Sequence, residues 1–512
     1  MSQQISTTVD TTSGKLRGEY EDSLYVFKGI PYAVAPIGHR RWLPPEPVKP
    51  WQGIRSANSF GPAAPQNNNP YSAIRLPREA ELQSEDCLFL NIWSPGLDDL
   101  RRPVMVWIHG GAFSRGSGSS PMHPVDTLVK HGNVVIVTTN YRLGPLGFLH
   151  LKEATNGSIP ATGNEALLDQ ITALRWVKDN IALFGGDAAN ITVFGESAGA
   201  MSIGCLLAMP KARGLFQKAI LQSGASTFRP LDQAIRVTKK YLEKLAVEAG
   251  DTKKLRSSNQ EILINTQLTQ KELNPQGALS QIHGASFEPV VDGEVLPEVP
   301  LDTIAKGAAD NIIVLTGSNL EEAKLFGMTS QVLKKLDEDG LLKRVERQLP
   351  LEYGSALIDG YRTIRTKRGL DASRAEILMA IQTDQQFRIP DVRLAEIQHS
   401  RGVKSYNYLF DWESSVPGLG ACHGLDVGFV FNNCDKDFHG SGPAAEKLVE
   451  YMQDAWLAFA RTGNPSCDSL GEWPIYGSSR NTMILGRDCH VEAAPYEEER
   501  RIWDSVPNAH LG

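Results

Sequence analysis

Ser197 is the residue whose surroundings most clearly suggest chemistry. It lies in the segment FGESAGAM, 194–201, with one glycine two residues before it and another two residues after it. A strand-like run, 191–194, leads into this segment, and a helix-like run, 200–209, follows it. Glycines permit a sharp turn because they have no Cβ atom, and a strand, turn and helix of this kind present a serine as a nucleophile. The chain has 46 glycines, so the five-residue pattern also arises by chance; its strand and helix context favours the nucleophile.

A serine nucleophile needs a base, an acid that orients the base, and donors for the oxyanion. The histidines that follow Ser197 and could serve as the base are His283, His399, His423, His439 and His490. We favour His423 because glycines surround it in the loop GLGACHGLD, 418–426. A loop histidine with an ordinary hydrogen bond is the alternative. Polar neighbours predict that His399 and His439 lie at the surface.

The residues alone do not identify the acid that orients the base. The segment GSNLEEAKLFG, 317–327, follows the predicted strand IIVLT and contains Glu321 and Glu322. Ser318 or Asn319 could instead cap a helix here, with the glutamates at its positive end. Two further acids are candidates as well: Asp292 and Asp426.

Donors for the oxyanion are predicted in the loop WIHGGAF, 107–113, where Gly110 and Gly111 allow backbone N–H groups to turn toward a ligand. An ordinary glycine turn is the alternative interpretation. A second donor is the N–H of Ala198, which directly follows the nucleophile at the start of the predicted helix, where anions are favoured.

The elements that must position these residues alternate between strands and helices. Short apolar runs predict buried strands of a mostly parallel sheet: 104–108, 134–137, 191–194, 219–221 and 312–315. Apolar residues spaced by three and four predict helices over 165–181 and 444–463. A more polar, helical stretch between about 230 and 310 indicates an insertion beside the sheet. This alternation predicts an α/β fold with helices on both faces.

The composition of the chain argues against nucleic-acid binding, membrane association and zinc binding. The net charge is −7 without a basic block, so we expect no nucleic-acid partner. No run approaches a membrane span, and the N-terminal residues do not resemble a secretory signal, so we expect no membrane partner. The 6 cysteines lack metal-binding spacing, which argues against a zinc site and predicts reduced thiols in the cytoplasm. The sequence indicates no oligomeric state.

Several segments, in this order along the chain, resemble the type-B carboxylesterases, a family of the α/β-hydrolase fold: FKGIPYA, SEDCLFLNIW, HGGAF, NYRLGPLGF, LLDQITALRWVKDNI, FGGD, FGESAGAM, GLFQKAILQSG and ARTGNP. Their joint occurrence is far more specific than any one motif. The resemblance implies a mostly parallel central sheet with helices on both faces and large helical insertions. It also implies a single domain over 1–512, with insertions around 225–310 and 325–400.

The resemblance implies roles for individual residues. Ser197 matches the nucleophile, His423 the base, and Glu322 rather than Glu321 the acid. Ala323 stands where the family usually has glycine, and Leu320 where a polar residue is common. The oxyanion donors are then the N–H groups of Gly111, Ala112 and Ala198, while Glu196 and Gly110 line the site. Ala112 replaces a glycine found in many members, a change that a backbone donor tolerates.

Two ion pairs also follow from the resemblance: Arg41 with Glu85, and Arg142 with Asp169. The implied activity is a serine carboxylesterase that uses no cofactor and no metal and hydrolyses short- to medium-chain esters of small molecules through an acyl-enzyme. The same residues could act on carbamates, amides or polymer esters. A non-catalytic binding protein is disfavoured because all three triad positions are kept. Cholinesterase-like choline binding is not expected, since no tryptophan lies between Trp51 and Trp93.

Overall fold

The computed structural model of this protein describes residues 6–67, 81–266, 268, 287–327, 333–347 and 349–512. Its strands are β1 (Thr8–Thr11), β2 (Gly14–Arg17), β3 (Glu19–Glu21), β4 (Leu24–Pro31), β5 (Ile54–Ser56), β6 (Phe89–Ser94), β7 (Arg102–Ile108), β8 (Val135–Thr139), β9 (Gly186–Glu196), β10 (Lys218–Gln222), β11 (Arg229–Pro230), β12 (Val290–Val291), β13 (Ile313–Asn319), β14 (Ser405–Phe410), β15 (Asn481–Leu485) and β16 (His490–Ala493).

Eleven of these strands form one central sheet in the order β16-β15-β14-β13-β10-β9-β7-β8-β6-β4-β3. The strands from β15 to β8 run parallel to one another, and antiparallel strands stand at both edges. The predicted α/β architecture with a mostly parallel sheet is therefore confirmed. Each apolar run that predicted a strand lies in β7, β8, β9, β10 or β13, with ends that differ by a few residues.

The described helices are α1 (Asp126–Gly132), α2 (Gly144–Phe148), α3 (Glu165–Asn180), α4 (Ala198–Ala208), α5 (Leu231–Leu245), α6 (Thr252–Ser257), α7 (Gln260–Asn265), α8 (Pro300–Ala305), α9 (Lys324–Gly327), α10 (Glu338–Val345), α11 (Leu351–Lys367), α12 (Arg374–Thr383), α13 (Ile389–Ser400), α14 (Leu425–Val430), α15 (Pro443–Thr462) and α16 (Glu497–Ile502). A π-helical turn, Asp384–Arg388, joins α12 to α13. The helices predicted over 165–181 and 444–463 correspond to α3 and α15.

Strand β7 shows how both faces of the sheet are covered. Its alternate residues Val104, Val106 and Ile108 belong to one buried cluster, which includes the apolar face of α3. The residues between them, Met105 and Trp107, belong to a second cluster, which includes that of α15. Because side chains alternate along a strand, helices must pack on both faces to bury such a continuous apolar run.

The two predicted insertions contain helices. Helices α5 to α8 lie within the first, and α9 to α13 lie within the second or extend beyond its start by a residue. The organisation of residues 1–512 as a single domain stays a prediction. Among the described residues, no helix is long and apolar enough to cross a membrane.

Both predicted ion pairs are present. Arg142 binds the carboxylate of Asp169 through Nε and Nη2, at 2.8 and 2.7 Å, and both side chains are almost fully buried. Arg41 binds Glu85, and its Nη1 donates to the backbone carbonyls of residues 255, 256 and 258 around the end of α6. The Arg41 pair thus ties the N-terminal region to the first insertion.

Candidate active site

Ser197 stands in a strained turn between β9 and α4. Its backbone has φ 54° and ψ −126°, a conformation that costs a non-glycine residue about 1–3 kcal/mol. A Cβ at Gly195 would lie 2.6 Å from the carbonyl oxygen of Ile108, and a Cβ at Gly199 would overlap that same oxygen. The Ser197 N–H donates to the Gln222 carbonyl at the end of β10, 2.9 Å away. The two glycines are therefore needed because the end of β7 packs against the turn.

His423 faces the serine from the loop between β14 and α14. Its Nε2 lies 2.8 Å from the Oγ of Ser197, although 226 residues separate the two along the chain. The rings of Phe326 and Phe387 pack against the imidazole, with centroids 5.2 and 4.8 Å away. Phe387, which lies on the π-helical turn, is 1 % exposed, so one side of the imidazole is shielded from water.

Glu322 binds the other nitrogen of the imidazole. Its Oε2 lies 2.6 Å from Nδ1 of His423, and its Oε1 accepts the N–H of Asn319 at 2.7 Å. The carboxylate is fully buried. An anion at Nδ1 requires a proton there, so the neutral imidazole presents an unprotonated Nε2 to the serine.

The other candidate acids have different partners. Asp292 accepts backbone N–H groups of residues 294–296 in its own turn. Asp426 is buried and accepts hydrogen bonds from Gln222 and Tyr408. Ser318 and Asn319 lie in β13 and cap no helix. Of these candidate acids, Glu322 is the one whose carboxylate contacts the imidazole of His423.

One prediction about the histidines is wrong. His439 is buried, 7 % exposed, and its Nδ1 accepts the N–H of Asp435 at 2.9 Å. Its ring packs against Phe429 and Phe438, and burial lowers its pKa to about 4. His399 and His490 are exposed. His283 lies outside the described residues.

The glycine loop after β7 adjoins the serine. A Cβ at Gly110 would lie 2.6 Å from Oε2 of Glu196 and 3.2 Å from Cβ of Ser197, so only glycine allows this approach. Gly111 and Ala112 have φ of 114° and 52°. Within the described residues, the N–H groups of Gly111 and Ala112 have no hydrogen-bond acceptor.

Ala198 is the first residue of α4, so its N–H has no acceptor within that helix and is a third candidate donor. The loop itself is held from behind, where Tyr141 donates to the carbonyl of His109 at 2.7 Å and stacks on its ring at 4.4 Å. The sequence did not point to Tyr141 or Gln222 as parts of the site, and it suggested Asn319 only as a helix cap, because none of them carries a chemical signature of its own.

Glu196 adds a second carboxylate beside His423. Its Oε1 lies 3.1 Å from Nε2 of His423. Burial raises the pKa of Glu196 to about 7. Burial alone would lower the pKa of His423, but the carboxylates of Glu196 and Glu322 outweigh it and raise that pKa to about 9. The imidazolium that forms when His423 takes a proton is therefore stabilised from two sides.

From the sequence we expect the variable loops 62–83, 225–290 and 325–420 to form the walls of the substrate pocket, and parts of all three lie outside the described residues. No group of three or more histidine, cysteine or acidic side chains suited to a metal ion occurs in the parts of the chain that the structure describes.

Comparison with known proteins identifies close relatives. The model of the carboxylesterase family matches residues 5–503. The para-nitrobenzyl esterase of Bacillus subtilis (strain 168) is 38 % identical over 514 residues, which cover 98 % of each chain. The phenmedipham hydrolase of Pseudarthrobacter oxydans is 35 % identical over 94 % of this chain and 96 % of its own. Among solved structures, the Geobacillus stearothermophilus carboxylesterase EST55 at pH 6.2 has a TM-score of 0.85 and 41 % identity, covering 97 % of this chain and all of that one.

Proposed function

Because this chain belongs to the carboxylesterase family, has the α/β-hydrolase fold and is a carboxylic ester hydrolase, we propose that Ser197, His423 and Glu322 form its catalytic triad. The observation that carries the proposal is the line of contacts from Oγ to Nε2, 2.8 Å, and from Nδ1 to the buried carboxylate, 2.6 Å. The order along the chain, serine then acid then histidine, is that of the α/β-hydrolases.

In the first half of the reaction, the Oγ of Ser197 attacks the ester carbonyl carbon while Nε2 of His423 accepts the hydroxyl proton. The carbonyl oxygen takes up negative charge, which the N–H groups of Gly111, Ala112 and Ala198 stabilise. The tetrahedral intermediate collapses, the bond to the alkoxy oxygen breaks, and Nε2 gives its proton to the departing alcohol. An acyl-enzyme on Ser197 remains.

In the second half, His423 takes a proton from a water molecule, and the water oxygen attacks the acyl carbon. Collapse of this second intermediate returns the proton to Ser197 Oγ and releases the carboxylic acid. Glu322 keeps the imidazole in one tautomer and stabilises the imidazolium in both halves. The residues suffice for this sequence without a metal or an organic cofactor.

For the substrate, we propose soluble esters of small molecules with short- to medium-length acyl chains. The relative named para-nitrobenzyl esterase supports small ester substrates. A second candidate is phenmedipham, the compound in the name of another relative. A series of p-nitrophenyl esters should show faster turnover of the acetate and butyrate than of the palmitate. Preference for emulsified long-chain triglyceride over soluble butyrate would contradict this substrate class.

The triad is tested by three substitutions. Ser197→Ala, His423→Ala and Glu322→Gln should each lower kcat by on the order of 10³ to 10⁶, the first two most, and the losses should not add. Labelling with a fluorophosphonate should modify the native protein and spare Ser197→Ala. The matched control is Glu321→Gln, one residue from the proposed acid. If Glu321→Gln abolished activity while Glu322→Gln did not, the assignment of the acid would be wrong.

We also propose a cytoplasmic location. Support comes from the cysteines, all six of which are free: Cys87, Cys205, Cys422, Cys434, Cys467 and Cys489. Free thiols suit a reducing compartment. Mass mapping of the native protein should therefore find no intrachain disulfide, and a disulfide at Cys87 would overturn the proposal.

A further inference from the structure

The loop that carries the acid and the loop that carries the base are joined directly by residues 321 and 421. The N–H of Glu321 donates to the carbonyl of Ala421 at 2.9 Å. In return, the N–H of Ala421 donates to the side-chain Oε2 of Glu321 at 3.0 Å. One residue further on, the N–H of His423 donates to the carbonyl of Glu322 at 3.3 Å. Two catalytic loops about a hundred residues apart are thus held in register by three hydrogen bonds.

The hydrogen bond between the Ala421 N–H and the Glu321 carboxylate depends on the preceding residue, Gly420. Gly420 has φ +54°, and a Cβ there would overlap Oε2 of Glu321 and lie 2.5 Å from its carboxylate carbon. The carboxylate is therefore packed closely over the backbone of Gly420. Glycine is needed at position 420 for two reasons. Its left-handed φ suits glycine, and only a residue without a Cβ leaves room for the carboxylate of Glu321.

The carboxylate is also fixed from its outer side. Lys324 places its Nζ 2.5 Å from Oε1 of Glu321 and 3.8 Å from the carboxylate of Glu376 on α12. The side chain of Glu321 is 30 % exposed. One carboxylate oxygen thus faces a cation near solvent, and the other faces the histidine loop.

On the basis of the proposed triad, we propose that Glu321 is a positioning residue that sets the place of His423. It touches neither the serine nor the imidazole. It fixes the backbone two residues before His423, and the adjacent residue, Glu322, binds the ring itself. A displacement of about 1 Å in a catalytic group can cost about 10²-fold in rate. The two adjacent glutamates therefore have different roles toward one loop. Glu321 positions its backbone, and Glu322 binds the imidazole that takes part in the reaction.

The positioning of His423 depends on the acceptor oxygen of the side chain at position 321 and not on its negative charge. A set of variants distinguishes the effect of the oxygen from that of the charge. Glu321→Ala and Glu321→Asp lose the contact with the Ala421 N–H, so kcat should fall about tenfold with KM within twofold of the native value. Glu321→Gln keeps an acceptor oxygen at the same reach, so its kcat should stay within about threefold. Lys324→Met removes the cation but leaves the bond to Ala421, and it should also stay within about threefold.

Steady-state kinetics with p-nitrophenyl butyrate across pH 5–10 measures these differences, with thermal unfolding recorded for every variant. The midpoint of the pH profile should stay unchanged in Glu321→Ala, because the groups that face the imidazole are intact. Gly420→Ala provides an independent route to the same kcat loss through displacement of the carboxylate.

Two outcomes would overturn the proposal: kcat of Glu321→Ala within twofold of native, or equal losses in Glu321→Gln and Glu321→Ala. Failure of the triad is distinguishable, because Ser197→Ala would then keep its activity whatever happens at position 321.

Discussion

The substitution Glu196→Gln tests the electrostatics of the site most directly. Glu196 precedes the nucleophile, and its carboxylate lies 3.1 Å from Nε2 of His423. This is the same nitrogen that faces the serine hydroxyl. Glutamine has nearly the shape of glutamate but no charge. The change therefore removes the first of three carboxylates, those of Glu196, Glu322 and Asp426, that raise the pKa of His423 to about 9 against the effect of burial.

The size of the effect follows from the separation. At 3.1 Å, a pair of unit charges interacts by about 1 kcal/mol in water and by about 5 kcal/mol at an effective dielectric constant of about 20. One pKa unit corresponds to about 1.4 kcal/mol. Both side chains are largely buried, so we expect the pKa of His423 to fall by at least one unit.

The sign of the change in the pH profile is fixed by the chemistry. Only the neutral imidazole can accept the serine proton, so kcat/KM rises as the pH rises through the pKa of His423. Removal of the Glu196 charge lowers that pKa. The acid limb of kcat/KM should therefore move to lower pH by about one unit or more, and the variant should gain activity relative to native at acidic pH.

The assay is kcat/KM for a soluble p-nitrophenyl ester between pH 5 and 9.5, corrected for spontaneous hydrolysis at each pH. Glu243→Gln, on the exposed side of α5, is the matched control because it removes the same charge at a residue that is not among the main influences on the pKa of His423. Its midpoint should equal that of the native enzyme. An acid limb that stays in place or moves to higher pH in Glu196→Gln would refute the reasoning.

Three further predictions concern the frame of the site. Gly199→Ala would place a Cβ against the carbonyl oxygen of Ile108, and it should destabilise the fold by about 2–4 kcal/mol in urea unfolding; an unchanged midpoint would contradict the close approach. Ala112 has φ 52°, so Ala112→Gly should keep kcat within about threefold while the β-branched Ala112→Val lowers both kcat and Tm; equal behaviour of the two would contradict a left-handed backbone there. Arg142→Met should cost about 3–5 kcal/mol, because it leaves the buried carboxylate of Asp169 unpaired, and a loss below about 1 kcal/mol in chemical denaturation would argue against that burial.

Sequence patterns predicted the parts of the site that depend on local backbone. Ser197 was identifiable because its turn requires two glycines at fixed spacing, and the sheet because buried parallel strands have continuous apolar runs. The acid could not be selected from the residues alone, since Glu321 and Glu322 are neighbours with the same chemistry. What separates them is the partner each one meets across the fold, the Ala421 N–H for one and the His423 ring for the other.

His439 is a residue for which the sequence predicted the wrong location. Its polar neighbours in the sequence predicted a surface position, but the ring turns inward against Phe429 and the backbone of Gly428. Sequence neighbours report the character of a segment, whereas the burial of one side chain depends on what packs against it. The same limit explains why Phe387, fully buried behind the imidazole, had no signal in the sequence.

The separation of the three proposed triad residues along the chain has a consequence for folding. Ser197 and His423 are 226 residues apart, and Glu322 is 101 residues from His423. Their loops meet only after β9, β10, β13 and β14 have paired as neighbours in the sheet. Contacts between such distant residues form slowly, because the intervening chain must first be ordered. During refolding from denaturant, helical signal should therefore return before esterase activity, and the delay between the two reports the time taken to complete the sheet.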